Sequence, residues 1–196
     1  SKRNGLRHLL TDHVMLRRKK SDVLKELKAK VRYTEIIEAD RNYYQDELNK
    51  IWSKLENEQK TAETEFLKHA SYQRAIQSER QAAGVAKLPS VIEFVKNIME
   101  IEESVVVFCH HKAIHRLLHE SLQEFHPSSI IGGQTDKVRQ SNIDRFQDGD
   151  TKLMIAGLRA GNLGINLTRA KYVIFGELDW SPAIHRQAED RLHRIG

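Results

Sequence analysis

The second half of the chain alternates short apolar runs with helical patterns, and this alternation constrains the fold more than any other feature. Four runs are predicted to be strands: Val105 to Phe108, Ser129 to Ile131, Leu153 to Ile155 and Tyr172 to Phe175. Such runs are typical of strands buried on both faces. Strands that alternate with helices indicate a parallel α/β sheet. The carboxyl ends of its strands would share one edge, where ligand-contacting loops gather.

The segments between these runs have the apolar spacing of helices. The helices are predicted over residues 113–125, 136–146 and 181–195, the last two separated by two strands and a glycine-rich stretch. Another helix begins near Leu88, where apolar residues recur every three or four positions. We expect Ser90 and Glu93 to form a capping box at its start.

A charged segment without proline precedes the alternating half of the chain. From Asp40 to about Gly84 it is poor in β-branched residues, and apolar residues from Tyr44 to Leu55 recur at helical spacing. One long helix or a helical hairpin is therefore predicted. A solvated hairpin is the simpler interpretation, although its lysines and arginines leave contact with DNA or a protein open.

Length and charge narrow the class of protein. A chain of 196 residues can form one ordinary domain with a helical appendage. Its 32 basic residues exceed the 27 acidic ones, which allows a polyanionic partner without requiring one. Cys109 is the only cysteine, so a disulfide within the chain is excluded and an intracellular compartment is expected. No apolar run approaches the roughly 20 residues of a membrane span.

The last predicted helix has a well-defined start and carries two arginines in a notable position. Ser181 is a suitable N-cap residue and Pro182 a suitable first residue. At helical spacing, one stripe beside the apolar face contains Gln187, Asp190, Arg191 and Arg194. A rigidly held arginine can stabilise the charge that develops on a transferring phosphoryl group. From the residues alone, a surface Arg–Asp pair is the favoured explanation of the pattern.

Four motifs, in order along the chain, resemble those of Swi/Snf-type DNA-translocating ATPases of helicase superfamily two. They are "FCHHKAIHRLLHESL", "IIGGQTDKVRQSNIDRFQDGD", "LMIAGLRAGNLGINLTRAKYVIFGELDWSP" and "QAEDRLHRIG". The segment "MLRRKKSDVLKELKAK" is similar to the one that joins the two lobes in that family. The details resemble most the subgroup that includes the annealing helicases. The resemblance implies the second RecA-like lobe, an α/β fold with a parallel sheet flanked by helices and an N-terminal helical protrusion.

The resemblance also implies a domain organisation. Residues 1–39 would be the inter-lobe linker, residues 40–86 the helical protrusion, and residues 87–196 the RecA-like lobe, truncated at its C-terminal end. The first lobe of the same protein is the implied partner. The sequence has no G-x-x-x-x-G-K-[ST] loop and no strand that closes on an Asp-Glu pair. ATP and Mg²⁺ would therefore be bound mainly by the first lobe, and this fragment alone is expected not to hydrolyse ATP.

By the same resemblance, Arg194 and Arg191 are the arginine-finger candidates, with Arg194 preferred. Gln187 would orient the finger or sense the nucleotide, and the backbone at Gly161 and Gly164 would line the same cleft. The sequence departs from the family pattern in this region, with Gly161-Asn162 in place of a glycine pair and Gly157-Leu158-Arg159 in place of a Ser/Thr-Lys.

The resemblance assigns a second set of residues to double-stranded or forked DNA. The implied contacts come from Lys112, His111, Arg139, Asn166, Thr168 and Trp180, together with the Gly132-Gly133 turn. Cations, hydroxyls and backbone amides contact phosphates without reading sequence, as a translocating motor requires. We expect a nuclear location in a eukaryote, or the cytoplasm and nucleoid in a bacterium, and no membrane partner.

Other interpretations remain open at this point. The lobe could belong to an RNA helicase, although such a lobe usually has Gly-Arg where this chain has Asp190-Arg191. It could also be a non-enzymatic nucleic-acid-binding adaptor that retains a degenerate lobe. His111, His115 and His119 have a spacing that can bind metal on a helix, but no carboxylate or cysteine completes the set. We predict no metal site.

Overall fold

The computed structural model describes residues 30–159 and 165–192. The chain divides into two compact units, and all the described helices and strands belong to the second, which begins at Thr34. In order along the chain they are α1 (Arg41–Thr61), α2 (Glu65–Ala86), α3 (Leu88–Ile101), β1 (Val105–Cys109), α4 (Lys112–Ser121), a 3-10 turn (Gln123–Phe125), β2 (Ser128–Ile130), α5 (Asp136–Asp148), β3 (Leu153–Gly157), β4 (Tyr172–Phe175) and α6 (Pro182–Leu192).

The four described strands form one parallel sheet in the order β2-β3-β1-β4. The strands lie within a residue or two of the predicted runs, and β4 has the predicted bounds. Helix α4 lies between β1 and β2 in the chain, α5 lies between β2 and β3, and α6 follows β4, as the sequence pattern requires. The predicted α/β class with a parallel sheet flanked by helices is thus confirmed.

The sheet is covered on both faces because successive side chains of β1 point in opposite directions. Val106 and Phe108 join an apolar cluster with residues of α5 and α6, whereas Val105 and Val107 join a second cluster with residues of α3 and α4. All five residues of β1 are fully buried. A central strand with this burial explains why the sequence pattern of Val105 to Phe108 is continuously apolar rather than alternating.

Helices α1 and α2 form a hairpin, the second of the two arrangements predicted for this segment. Each begins at a side-chain cap, since Asp40 accepts from the Tyr43 N–H at 2.9 Å and Thr64 from the Leu67 N–H at 3.2 Å. Gln59 on α1 donates to Ser71 on α2 at 2.8 Å. The last turns of α2 pack into the rest of the lobe, where Ala82, Gly84 and Ala86 are buried. These burials fix one end of the hairpin.

The capping box predicted at Ser90 and Glu93 is wrong. Helix α3 begins at Leu88, so its N-cap residue is Lys87, three positions before Ser90, and Lys87 makes no side-chain capping hydrogen bond. Lys87 already has right-handed helical angles and also ends α2. Since a single residue separates the two helices, Ser90 lies within the first turn of α3 and cannot act as its cap.

Candidate functional site

The carboxyl ends of the strands meet at one edge of the sheet, as predicted. Phe108 pairs with Phe175, Cys109 with Gly157, and Ile130 with Ala156, so β1, β2, β3 and β4 end at about the same level. The connections that follow these strand ends include most of the residues predicted to bind DNA. This edge is therefore the candidate functional site.

Lys112 and the Gly132-Gly133 turn, both predicted to contact DNA, lie together at this edge. Lys112 is the exposed first residue of α4. Its Nζ is 3.8 Å from the position that a Cβ atom on Gly133 would take, and nothing lies within 4 Å of the same position on Gly132. Gly133 has a φ of 101°, which other residues rarely adopt. The turn thus offers an open backbone surface beside a cation.

Arg139 and Asn166 line a shared cleft of about 620 Å³. Its other walls are Asp136, Lys137, Gln140, Ile143 and Ile165. Arg139 pairs with the exposed Asp136 one turn earlier on α5. A phosphate that approaches Arg139 would therefore compete with a neighbouring carboxylate, which is exposed and well solvated.

Trp180 is 71% exposed and lies against the helical hairpin. The guanidinium carbon of Arg80, on α2, is 4.9 Å from the centre of the indole ring, a cation–π arrangement. The same side chain donates to the Leu178 carbonyl at 2.6 Å. This contact could not be predicted from the sequence, because Arg80 and Trp180 are a hundred positions apart.

Behind Trp180, Asp179 and two histidines form a small polar group. Asp179 Oδ2 is 3.1 Å from His110 Nδ1, and the Asp179 backbone N–H donates to His185 Nε2 at 2.8 Å. Burial raises the pKa of Asp179, but the Ser181 N–H and the positive charges of His110, Arg159 and Arg80 outweigh it and hold that pKa below its usual range. Burial, with Arg80 and His111 nearby, lowers the pKa of His110.

His111, another predicted DNA contact, is engaged inside the protein. Its Nδ1 is 2.7 Å from Oε1 of Glu177, and the side chain is 13% exposed. Glu177, which the sequence reasoning missed, is only 4% exposed. An acidic residue two positions after a buried strand was the available signal, since a carboxylate rarely occupies such a place without partners.

Thr168 does not lie at the candidate site. Its hydroxyl accepts from Gln147 in the last turn of α5 at 3.2 Å, and the adjacent Arg169 carbonyl accepts from Ser104, which precedes β1, at 2.7 Å. These contacts belong to the amino edge of the sheet, opposite Lys112. Thr168 therefore lies apart from Lys112, because the chain between residues 165 and 172 crosses back to the start of β4.

The helix predicted to carry the arginine fingers begins at Pro182, as expected. Ala188 and Leu192 are buried against the sheet, Arg191 is half-buried at the edge of that face, and Gln187 is exposed. The Arg191 carbonyl accepts from the Leu167 N–H at 3.2 Å. Arg194, Gly161 and Gly164 lie outside the described residues.

His115 has a structural role rather than a metal-binding one. It is 5% exposed, and its Nε2 lies 3.1 Å from the Ile155 carbonyl and 3.2 Å from the Ser129 hydroxyl. Burial lowers its pKa, although the bond to Ile155 opposes this. Within residues 30–159 and 165–192, no group of three or more His, Cys, Asp or Glu side chains could hold a metal ion. None of the described helices is long and apolar enough to cross a membrane.

We predict that the chain loses stability as the pH falls below about 6.5, the ordinary pKa of histidine. The native pKa values of His110 and His115 are lowered, so the unfolded state binds more protons in this range and the free energy of unfolding falls. Urea denaturation at pH 7.5, 6.5 and 5.5 measures the slope. His115→Gln should make the slope shallower, and an unchanged slope would contradict the assignment.

Residues 86–196 match the family of the helicase conserved C-terminal domain. This match covers more than half of the chain, and the chain therefore belongs to that family. The match spans the sheet, the loops at its carboxyl edge and helix α6, so that the candidate site lies on the conserved domain rather than on the hairpin.

Comparison with curated proteins narrows the class further. The chain is 32% identical over 197 residues to the SWI/SNF-related matrix-associated actin-dependent regulator of chromatin subfamily A-like protein 1 of Xenopus tropicalis, covering 98% of this chain and 20% of that protein. It is 30% identical over 197 residues to the human DNA annealing helicase and endonuclease ZRANB3, covering 98% and 18%. The chain thus spans about a fifth of the length of these relatives. The predicted resemblance to Swi/Snf-type proteins, including the annealing helicases, is confirmed.

Solved structures support the fold. The Sulfolobus solfataricus SWI2/SNF2 ATPase C-terminal domain has a TM-score of 0.64 at 17% identity, covering 76% of this chain and 73% of that one. The core domain from the same organism has a TM-score of 0.68 at 17% identity, covering 98% and 44%. The C-terminal part of the Fun30 ATPase domain is 28% identical with a TM-score of 0.51, covering 59% and 38%.

Proposed function

We propose that this chain is the second motor lobe of an ATP-dependent translocase that acts on double-stranded DNA. The observation that carries the proposal is the juxtaposition of Lys112 with the open Gly132-Gly133 turn at the carboxyl edge of the sheet. A cation beside exposed backbone amides suits a phosphate and carries no sequence preference. Relatives named as a regulator of chromatin and a DNA annealing helicase support DNA as the polymer.

In this proposal the phosphate backbone runs along the carboxyl edge. Lys112 and the adjacent turn hold one phosphate, the Arg139 and Asn166 cleft accepts another, and Trp180 lies against a sugar or a groove. The pairing of Arg139 with Asp136 makes its contact weaker than that of Lys112. His111 contributes mainly by shaping the loop, because its imidazole is already bonded to Glu177.

The nucleotide-facing part of the proposal rests on α6. Arg194 and Arg191 would reach phosphates of ATP bound by the first lobe, with Gln187 beside them and the Gly161 and Gly164 backbone lining the cleft. Arg191 is held at the edge of the buried face of α6, which supports a rigid guanidinium. Mg²⁺ would be bound with ATP by the first lobe, and no described residue of this lobe is assigned to it. Alone, the lobe would not hydrolyse ATP.

The remaining expectations enter the proposal as a domain arrangement. Residues 1–39 would link the lobes, residues 40–86 would protrude from the second lobe, and residues 87–196 would form the motor lobe. ATP would draw the lobes together, and hydrolysis would reopen the cleft and move one lobe along the duplex. A protein of this kind would act in the nucleus of a eukaryote or the nucleoid of a bacterium.

Lys112→Ala in the two-lobe protein is expected to weaken binding to duplex DNA by roughly fivefold and to lower the salt dependence of binding by about one counterion. One lost phosphate contact is the physical reason. Fluorescence anisotropy with a labelled duplex at several salt concentrations measures both quantities.

Lys171→Ala is the matched control. This exposed lysine precedes β4 at the opposite edge of the sheet, so its removal changes the net charge equally without touching the proposed site. It should bind DNA with the affinity of the wild type. If both variants lost DNA affinity equally, the loss in Lys112→Ala would come from the change in net charge alone. That result would contradict the proposed contact.

A further inference from the structure

The carboxylate of Glu177 fixes the loop between β1 and α4. Its Oε2 accepts from the backbone N–H groups of His110 and His111, at 2.7 and 2.9 Å, and its Oε1 lies 2.7 Å from His111 Nδ1. The last backbone hydrogen bond between the β4 and β1 segments is donated by the Gly176 N–H to the Phe108 carbonyl, at 2.9 Å. At the next residue, Glu177, the side chain rather than the backbone accepts from the segment that follows β1.

This contact determines where α4 begins. His111 is the N-cap residue, in an extended conformation, and its side chain makes no capping bond to α4 because it faces Glu177. Lys112 follows as the first helical residue, with its Nζ beside Gly133. The two backbone N–H groups that precede Lys112 both donate to the Glu177 carboxylate. The direction of the Lys112 side chain therefore depends on how this carboxylate holds the loop.

A buried carboxylate needs a reason, because removing it from water is costly unless it is bonded. Glu177 has three polar contacts, and the positive charge of Lys87 is close enough for Glu177 to oppose the lowering of the Lys87 pKa that burial causes. An apolar side chain could fill the same space at lower cost but could not hold two N–H groups. The carboxylate is thus suited to orienting the loop.

Helix α2 approaches the same carboxylate closely. A Cβ atom on Gly84 would lie 2.8 Å from Oε1 of Glu177 and 3.3 Å from Ile114. Glycine inside a helix ordinarily costs about 1 kcal/mol relative to alanine. Here the close approach explains it, since only glycine leaves the carboxylate in place. Two elements far apart in sequence therefore accommodate Glu177.

We propose that Glu177 is a positioning residue for DNA binding, which holds the His110-His111 loop so that Lys112 faces the phosphate site beside the Gly132-Gly133 turn. This inference rests on the proposed function and adds a residue that does not itself touch DNA. It also gives the helical hairpin, through Gly84, a part in shaping the DNA-binding edge.

The test is a double-mutant cycle in the intact two-lobe protein, measured as the Kd for a labelled DNA duplex without nucleotide. Glu177→Ala should weaken binding by roughly fivefold and lower the salt dependence by about one counterion, as Lys112→Ala does. The double variant Glu177→Ala, Lys112→Ala should bind no more weakly than either single variant, because both changes remove the same contact.

The outcomes separate the two proposals. If Lys112→Ala weakens binding and Glu177→Ala does not, or if the losses multiply in the double variant, Glu177 does not act through Lys112 and the inference is overturned. If neither single variant weakens binding, the Lys112 contact of the proposed function is itself wrong. A merely structural role for Glu177 would produce multiplying losses.

Two further variants keep the test valid if Glu177→Ala fails to fold, which circular dichroism would reveal. Glu177→Gln keeps the volume and one acceptor oxygen, so it should restore most of the affinity. Gly84→Ala leaves Glu177 in the chain but displaces its carboxylate, and it should also weaken binding.

Glu63→Ala is the charge control, because Glu63 is an exposed acidic residue in the hairpin turn, and this variant should bind as the wild type does. Wild-type affinity in Gly84→Ala and a full loss in Glu177→Gln would together contradict the inference.

Discussion

Arg194→Ala in the two-lobe protein is expected to lower DNA-stimulated ATP turnover by about a thousandfold, within the range that arginine fingers contribute to phosphoryl transfer. The guanidinium would stabilise charge that develops only in the transition state, so the affinity for ATP should change little. The expectation depends on the register of α6, where Arg191 is half-buried beside the Ala188 and Leu192 face. Single-turnover hydrolysis and a fluorescent ATP analogue measure the two quantities.

Arg186→Ala is the matched control for this experiment. Arg186 is an exposed arginine on the same helix and lies outside the stripe that contains Gln187 and Arg191. Its removal should leave turnover within a factor of about two, as is usual for an exposed residue. DNA-stimulated turnover that survives in Arg194→Ala would contradict the assignment of Arg194, and a loss in Arg191→Ala alone would transfer it to Arg191.

Arg169→Ala is expected to lower the free energy of unfolding of the chain by about 3 kcal/mol. Nη1 of Arg169 donates to the Phe146 carbonyl at 2.8 Å and to the Thr151 carbonyl at 2.9 Å. Its guanidinium carbon also lies 5.7 Å from the centre of the Phe146 ring. One side chain thereby joins the last turn of α5 to the segment that leads into β3. Bonds from a charged donor are among the stronger ones in proteins.

Urea denaturation measures this loss, with Arg145→Ala as the control. Arg145 is exposed on α5, the helix whose last turn Arg169 contacts, so its removal should change the free energy of unfolding by no more than about 0.5 kcal/mol. The denaturant slope should stay the same in both variants, since neither alters the surface exposed on unfolding. A difference between the two variants below about 1 kcal/mol would show that the Arg169 bonds exchange freely with water.

The sequence predicted the elements of this fold better than the contacts among them. Continuous apolar runs identified the strands because β1 is buried on both faces. Helical spacing identified α6, and the Ser181-Pro182 pair identified its first residue. The capping box failed because local chemistry at Ser90 and Glu93 has no effect once α3 begins directly after α2. Short-range patterns describe a helix well only where its neighbours along the chain leave its ends free.

The candidate site divides in the same way. Lys112 and the glycine turn could be predicted together, because strand ends in a parallel sheet share an edge. Thr168 could not be placed, since nothing in the sequence gives the path of the chain between β3 and β4. The contacts of Glu177, Arg80 and Arg169 were missed for a further reason. They join residues tens of positions apart, and a single sequence has no periodicity that pairs such residues.

The most direct test of the central claim is ATP hydrolysis by the two-lobe protein with no nucleic acid, with duplex DNA and with RNA. A translocase on double-stranded DNA predicts strong stimulation by the duplex and little by RNA. Equal or greater stimulation by RNA would identify an RNA helicase lobe instead. Hydrolysis that responds to neither polymer, in a protein that still binds DNA, would contradict the motor and favour a nucleic-acid-binding adaptor.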